Sequence, residues 1–154
     1  MSSYKHIFDI VSRSISLLKE NIGTEYETTL FINCCLGLLI IPQQESKRTK
    51  PLSLNATVSY DEWGIDFNMI KGDKASPYVD DIARHFRNSL SHSRFDIVEC
   101  NPGNSIEKIH IRDYDSESDF KSDKPNFDLI FTIKEFKRFV LKYAEVIENK
   151  LINQ

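Results

Sequence analysis

Apolar residues change their spacing along this chain, and that change constrains the fold more than any other feature. Tyr4, Ile7, Phe8, Val11, Ile15, Leu18 and Ile22 recur every three or four residues, as do Val79, Ile82, Phe86 and Leu90. Within the segments Phe95–Cys100 and Ile106–Tyr114 the period falls to two, and from Phe136 to Leu151 it returns to three or four. A period near 3.6 lines one face of a helix, and a period of two lines one face of a strand. The chain is therefore expected to be mainly α, a helical bundle with a strand-rich insertion, 95–131, before its last helix.

The boundaries follow from caps and breakers. The first helix is expected over 3–21, stopped by Gly23. Thr24 and Glu27 form a capping box for a second helix, 25–41, which ends before Pro42. The two-residue link makes the pair an antiparallel hairpin. Leu36–Ile41 is apolar nearly all round and should be the most buried element, with Gly37 allowing a neighbouring helix close and Asn33 hydrogen-bonded in the core. Residues 42–76 are polar and irregular: Lys47, Arg48 and Lys50 sit in a surface loop, and Trp63 and Phe67 anchor the connection to the core. A third helix is expected over 77–93.

Phe95–Cys100 and Ile106–Tyr114 alternate on either side of Asn101-Pro102-Gly103-Asn104, the chemistry of a β-hairpin turn. Asp113–Lys124 reads as a solvated acidic loop, and Phe127–Phe131 as a third strand. Thr132 and Glu135 form a second capping box opening the last helix, 132–152. At 154 residues these elements make one domain, 1–154.

Composition narrows the function classes. The net charge is −3, which argues against a protein held on nucleic acid by bulk charge and leaves room for a local basic cleft. Cys34, Cys35 and Cys100 have no metal-ligand spacing, and two lie in an apolar helix, so they read as reduced core residues. The acidic loop lacks the Gly and terminal Glu of a calcium loop, and no metal or other cofactor is expected. The N-terminus has no apolar signal core, and the run Phe31–Ile41 falls short of the ~20 residues that span a bilayer. A soluble cytoplasmic protein with no membrane partner is expected.

Chemistry concentrates in Arg87-Asn88-Ser89-Leu90-Ser91-His92. The apolar stripe of the third helix turns His85, Asn88 and His92 onto another face, with Arg87 at its border. Arginine's planar fork fits a phosphate, and a histidine exchanges protons near neutral pH. Those are the parts for cleaving a phosphodiester without a metal. His92 is the candidate for proton transfer and Arg87 for holding the phosphate and its developing charge. Asn88 either donates to the phosphate or holds the His92 ring in one tautomer. His85, Ser91 and Arg94 are candidate substrate contacts, while His6 and His110 have no evident partner.

Arg, a polar residue, a short spacer and His on a helix of a small bundle resembles the HEPN superfamily. The tract Asn33–Pro42 and the layout of residues 4–152 also resemble stand-alone HEPN nucleases of bacteria and plasmids. The resemblance implies an up-down bundle acting as a metal-independent endoribonuclease, a homodimer whose motif helices face each other across a composite RNA site. It also implies a toxin–antitoxin, phage-defence or stress role, with an antitoxin or regulatory protein as partner. The alternative is a bundle of the same fold that binds nucleotides or a protein without cleaving. In related toxins paired with a nucleotidyltransferase antitoxin, a Tyr often lies two residues past the motif His; here that residue is Arg94.

Overall fold

The structure, a computed structural model, describes residues 12–17, 20, 33–35, 37–39, 54–100 and 106–152. Two compact units divide the chain: residues 1–53 with 140–154, and residues 54–139. In the first unit, 12–17, 33–35 and 37–39 are helical, as expected. Leu38, Leu39 and Cys35 are fully buried, and so are Val140 and Ala144 of the last helix. The Thr24–Glu27 capping box and the basic loop of Lys47, Arg48 and Lys50 lie outside the described residues. Two expectations are corrected here. Asn33 is exposed and does not lie in the core. Among the described residues, a Cβ at Gly37 would meet Ser14 Oγ at 3.7 Å, an ordinary contact, so that approach does not depend on glycine.

The second unit opens with α1 (Tyr60–Trp63) and a 3₁₀ turn (Phe67–Met69). Trp63 is buried as expected, its ring 5.6 Å from that of Phe139. Phe67 is 41% exposed and does not anchor the connection. Ile65 and Ile70 take that place, because the 3₁₀ turn between them points Phe67 outward. Gly72, at φ 112°, lets the chain run against the start of the last strand, where Lys71 and Asp128 exchange both backbone hydrogen bonds at 2.8 Å.

The motif helix, α2, is Val79–Ser91. Its start is fixed from outside: Val79 N–H donates to the Ala56 carbonyl, and Leu54 N–H donates to Asp80 Oδ2. Asp80 and Asp81 lie in the first turn, where negative charge opposes the helix dipole favourably. After it come β1 (Phe95–Cys100), β2 (Ile106–Asp113), the short α3 (Glu117–Lys121), β3 (Phe127–Thr132) and α4 (Ile133–Ile152). The strands form one antiparallel sheet in the order β1-β2-β3.

Alternation decides which sheet face is buried. Ile109 and Ile111 of β2, and Phe127, Leu129 and Phe131 of β3, point inward, while Ile130 is 47% exposed on the other face. On that outer face His110 finds a partner, its Nε2 2.8 Å from Asp128 Oδ1. Phe86 of α2 is fully buried among the rings of Phe127, Phe131, Phe136 and Phe139, with centroids 5.0–6.0 Å away. The capping box opening α4 forms as expected: Glu135 N–H donates to Thr132 Oγ1 at 3.2 Å, and Thr132 N–H to Glu135 Oε2 at 2.7 Å. The expected loop 113–124 contains α3, capped by Ser116, whose Oγ accepts from Asp119 N–H at 3.1 Å. Among the described residues, no helix is long and apolar enough to cross a membrane.

Candidate functional site

The buried stripe of α2 is wider than its apolar residues alone. Val79, Ile82, Phe86 and Leu90 are buried, but so are Ala83, His85 and Ser89. The sheet covers this second flank. Ser89 Oγ lies 2.8 Å from both the His85 and the Arg112 carbonyls, joining the helix to β2. The placement of His85 on an exposed polar face is therefore corrected. Its side chain is 2% exposed, and its ring stacks on Phe127 at 4.6 Å between centroids.

His85 faces Asp113, the last residue of β2. Nδ1 of His85 lies 2.8 Å from Asp113 Oδ2. An ionised carboxylate only accepts, so Nδ1 carries the hydrogen. The same oxygen accepts from Asn88 Nδ2 at 3.1 Å, and Asp113 Oδ1 accepts from the Tyr114 backbone N–H at 3.0 Å. Arg94 Nη1 stands 3.7 Å from Oδ1. Burial alone would raise the carboxyl of Asp113. The hydrogen bonds from His85, Asn88 and the Tyr114 backbone outweigh it and hold Asp113 below the usual carboxylate range.

Asn88 carries this arrangement outward. Its Oδ1 accepts from Arg87 at two atoms, Nη2 at 2.8 Å and Nε at 3.3 Å. The carboxylate on one side accepts only, and the guanidinium on the other donates only. The amide thus has one satisfactory orientation, Nδ2 inward and Oδ1 outward. Arg87 is half-buried at the helix border, as its position in the wheel implies.

His92 is the C-cap of α2 and is exposed. Its N–H donates to the Asn88 carbonyl at 3.0 Å. Beyond it, Ser93 takes a positive φ of 53°, Ser93 N–H donates to the Leu90 carbonyl at 3.2 Å, and Arg94 N–H donates to the Ser89 carbonyl at 2.8 Å. This is a Schellman ending with serine in the left-handed position usually held by glycine. It stops the helix at Ser91, one residue before His92, and leads into β1 by way of Arg94, whose carbonyl accepts from Arg112 N–H at 3.2 Å. The Arg94 guanidinium lies 5.3 Å from the Tyr114 ring and 5.0 Å from Phe120. Ser91 is exposed on the last turn.

The structure thus brings together Arg87, Asn88, His85 and Asp113, with Arg94 beside the carboxylate. Ser91 and the His92 ring stand at the exposed end of the same helix. Asp113 was hidden in the sequence by the alternating acidic residues after it. The signal that identifies it is the period of β2: Asp113 continues the inward row of Ile109 and Ile111. Among the described residues, no group of three or more His, Cys, Asp or Glu side chains is placed to hold a metal ion.

A family model described as HEPN pEK499 p136 matches residues 1–154. No curated protein and no solved structure matches the chain.

Proposed function

The chain belongs to the HEPN pEK499 p136 family, and from that premise we propose that it is a metal-independent endoribonuclease. The observation that carries this reading is the Arg87–Asn88 pair, joined at 2.8 and 3.3 Å, on the helix that ends at the exposed His92. RNA supplies its own nucleophile, the 2′-hydroxyl. Arg87 binds the phosphate and offsets the charge that grows on it, and His92 moves a proton. The bond from phosphorus to the 2′-oxygen forms as the bond to the 5′-oxygen breaks, leaving a 2′,3′-cyclic phosphate and a 5′-hydroxyl.

The reaction uses one acid and one base. With Nδ1 of the buried His85 directed at Asp113, one chain offers one exposed histidine on this helix. A two-fold dimer with apposed motif helices would supply the second His92 and a second Arg87. A cytoplasmic toxin–antitoxin, phage-defence or stress system, with an antitoxin or regulatory partner, is the setting this activity fits. The net charge of −3 favours a second reading, a silent nucleotide- or protein-binding module.

The test incubates wild type, Arg87→Ala and His92→Ala with a labelled oligoribonucleotide in EDTA, beside an oligodeoxyribonucleotide control, and identifies the end groups. Wild type should cleave RNA alone, and each variant should lose about 10²–10⁴-fold in rate. Equal cleavage by all three would remove the motif from the mechanism. No RNA cleavage by wild type would favour the binding module.

A further inference from the structure

We propose that Asp113 is a positioning residue that aims Arg87 at the phosphate by locking the Asn88 amide between them. The activity part of this inference rests on the ribonuclease reading; the geometric part stands without it. The Asp113 side chain is 5% exposed and cannot reach a substrate itself. What it does reach is Asn88 Nδ2, at 3.1 Å. With Nδ2 committed inward, Oδ1 is left facing Arg87, where it takes one hydrogen from Nε and one from Nη2.

This has a directional consequence. A guanidinium carries five N–H donors in a rigid plane. Asn88 occupies two of them, so three remain among the described residues: both on Nη1 and the second on Nη2. These lie along the edge of the fork away from Asn88, the arrangement for two parallel bonds to phosphate oxygens. An unheld arginine side chain would sample many rotamers and lose that edge for part of the time. The relay Asp113–Asn88–Arg87 removes this freedom with neutral and ionic hydrogen bonds, and among the described residues no carboxylate pairs with the guanidinium. A carboxylate in contact with Arg87 would neutralise it; an amide orients it and leaves its charge for the substrate.

A merely structural role for Asp113, as the buried partner of His85, makes a different prediction. It would lower stability on substitution and leave Arg87 as it was. The deciding variant is Asp113→Asn, which keeps the shape but leaves one acceptor oxygen for the three donors of His85, Asn88 and Tyr114. Asn88→Ala and the double variant complete a cycle. Two readouts are taken below the melting temperature of each: the Arg87 Nε–H resonance and its exchange with water by NMR, and the kcat and KM for RNA cleavage.

The Nε–H of Arg87 should be protected in wild type and exchange fast in both single variants. The kcat should fall by up to about 10²-fold, the cost of a small misplacement, with a smaller change in KM. The double variant should be no slower than Asn88→Ala alone, because Asp113 acts through Asn88. An unchanged Arg87 resonance in Asp113→Asn, or losses that multiply in the double variant, would overturn the proposal. If Asp113→Asn fails to fold, Asn88→Ala still decides: a protected Arg87 Nε–H in that variant means the relay does not exist. If wild type cleaves no RNA, the ribonuclease reading fails, and the NMR arm alone judges the positioning.

Discussion

Phe86 packs the motif helix against four aromatic rings, and its substitution gives a graded test of the packing. It is fully buried one residue before Arg87 and touches four aromatic rings drawn from β3 and α4. Truncating a sealed phenylalanine to alanine costs about 3–5 kcal/mol in lost transfer energy and cavity. An aromatic pair adds about 0.5–1.5 kcal/mol beyond its buried area, so even the low end over four rings gives about 2 kcal/mol that depends on ring geometry. Phe86→Leu keeps most of the volume and should lose about that 2 kcal/mol; Phe86→Ala should lose about 4–5 kcal/mol. For a chain of this length, the second figure corresponds to roughly 8–20 °C in melting temperature. Urea unfolding followed by tryptophan fluorescence reads this directly, since Trp63 is the only tryptophan and its ring lies 5.6 Å from Phe139. If Phe86→Leu stays within about 0.5 kcal/mol of wild type, ring geometry contributes nothing measurable and the reasoning from the cluster is wrong.

Two further outcomes follow from the same unit. Asp113 is held below the usual carboxylate range, so its contribution to stability is fully present above about pH 4 and is lost as pH falls through its folded value. The gap in unfolding free energy between wild type and Asp113→Asn should therefore narrow on acidification below pH ~4; a gap that stays constant down to pH ~2 would contradict it. At Gly72, a side chain would overlap the Asn126 carbonyl and come within 2.9 Å of Phe127 N, on a backbone with φ 112°. Gly72→Ala should then cost more than about 1 kcal/mol, and an unchanged melting temperature would show that the contact relaxes freely.

Residues with a strong local signal were legible in the sequence. The hairpin, β3 and the last helix follow from their period and caps, and the Thr132–Glu135 box forms as written. The errors arise where burial is decided by a distant element. A helical wheel places His85 with Asn88 and His92, but the sheet packs over the His85 flank and buries it. Asp113 has the composition of the solvated loop it introduces, and only its place in the strand period sets it apart. Phe67 looks like an anchor by residue type, yet a 3₁₀ turn rotates it outward. In the candidate site, Arg87, Asn88 and His92 were visible as a motif. The partner of Asn88 was not, because 25 residues separate the two.

That separation bears on the order in which the chain is made. His85, Arg87, Asn88 and His92 leave the ribosome together, but the carboxylate that faces His85 and Asn88 arrives 28 and 25 residues later. The ring that stacks on His85 comes later still, with Phe127. A growing or truncated chain that ends before residue 113 has every residue of the motif and lacks the carboxylate that accepts from His85 and Asn88. Under the proposed ribonuclease reading, the aim of Arg87 is thus completed only by sequence downstream of the motif.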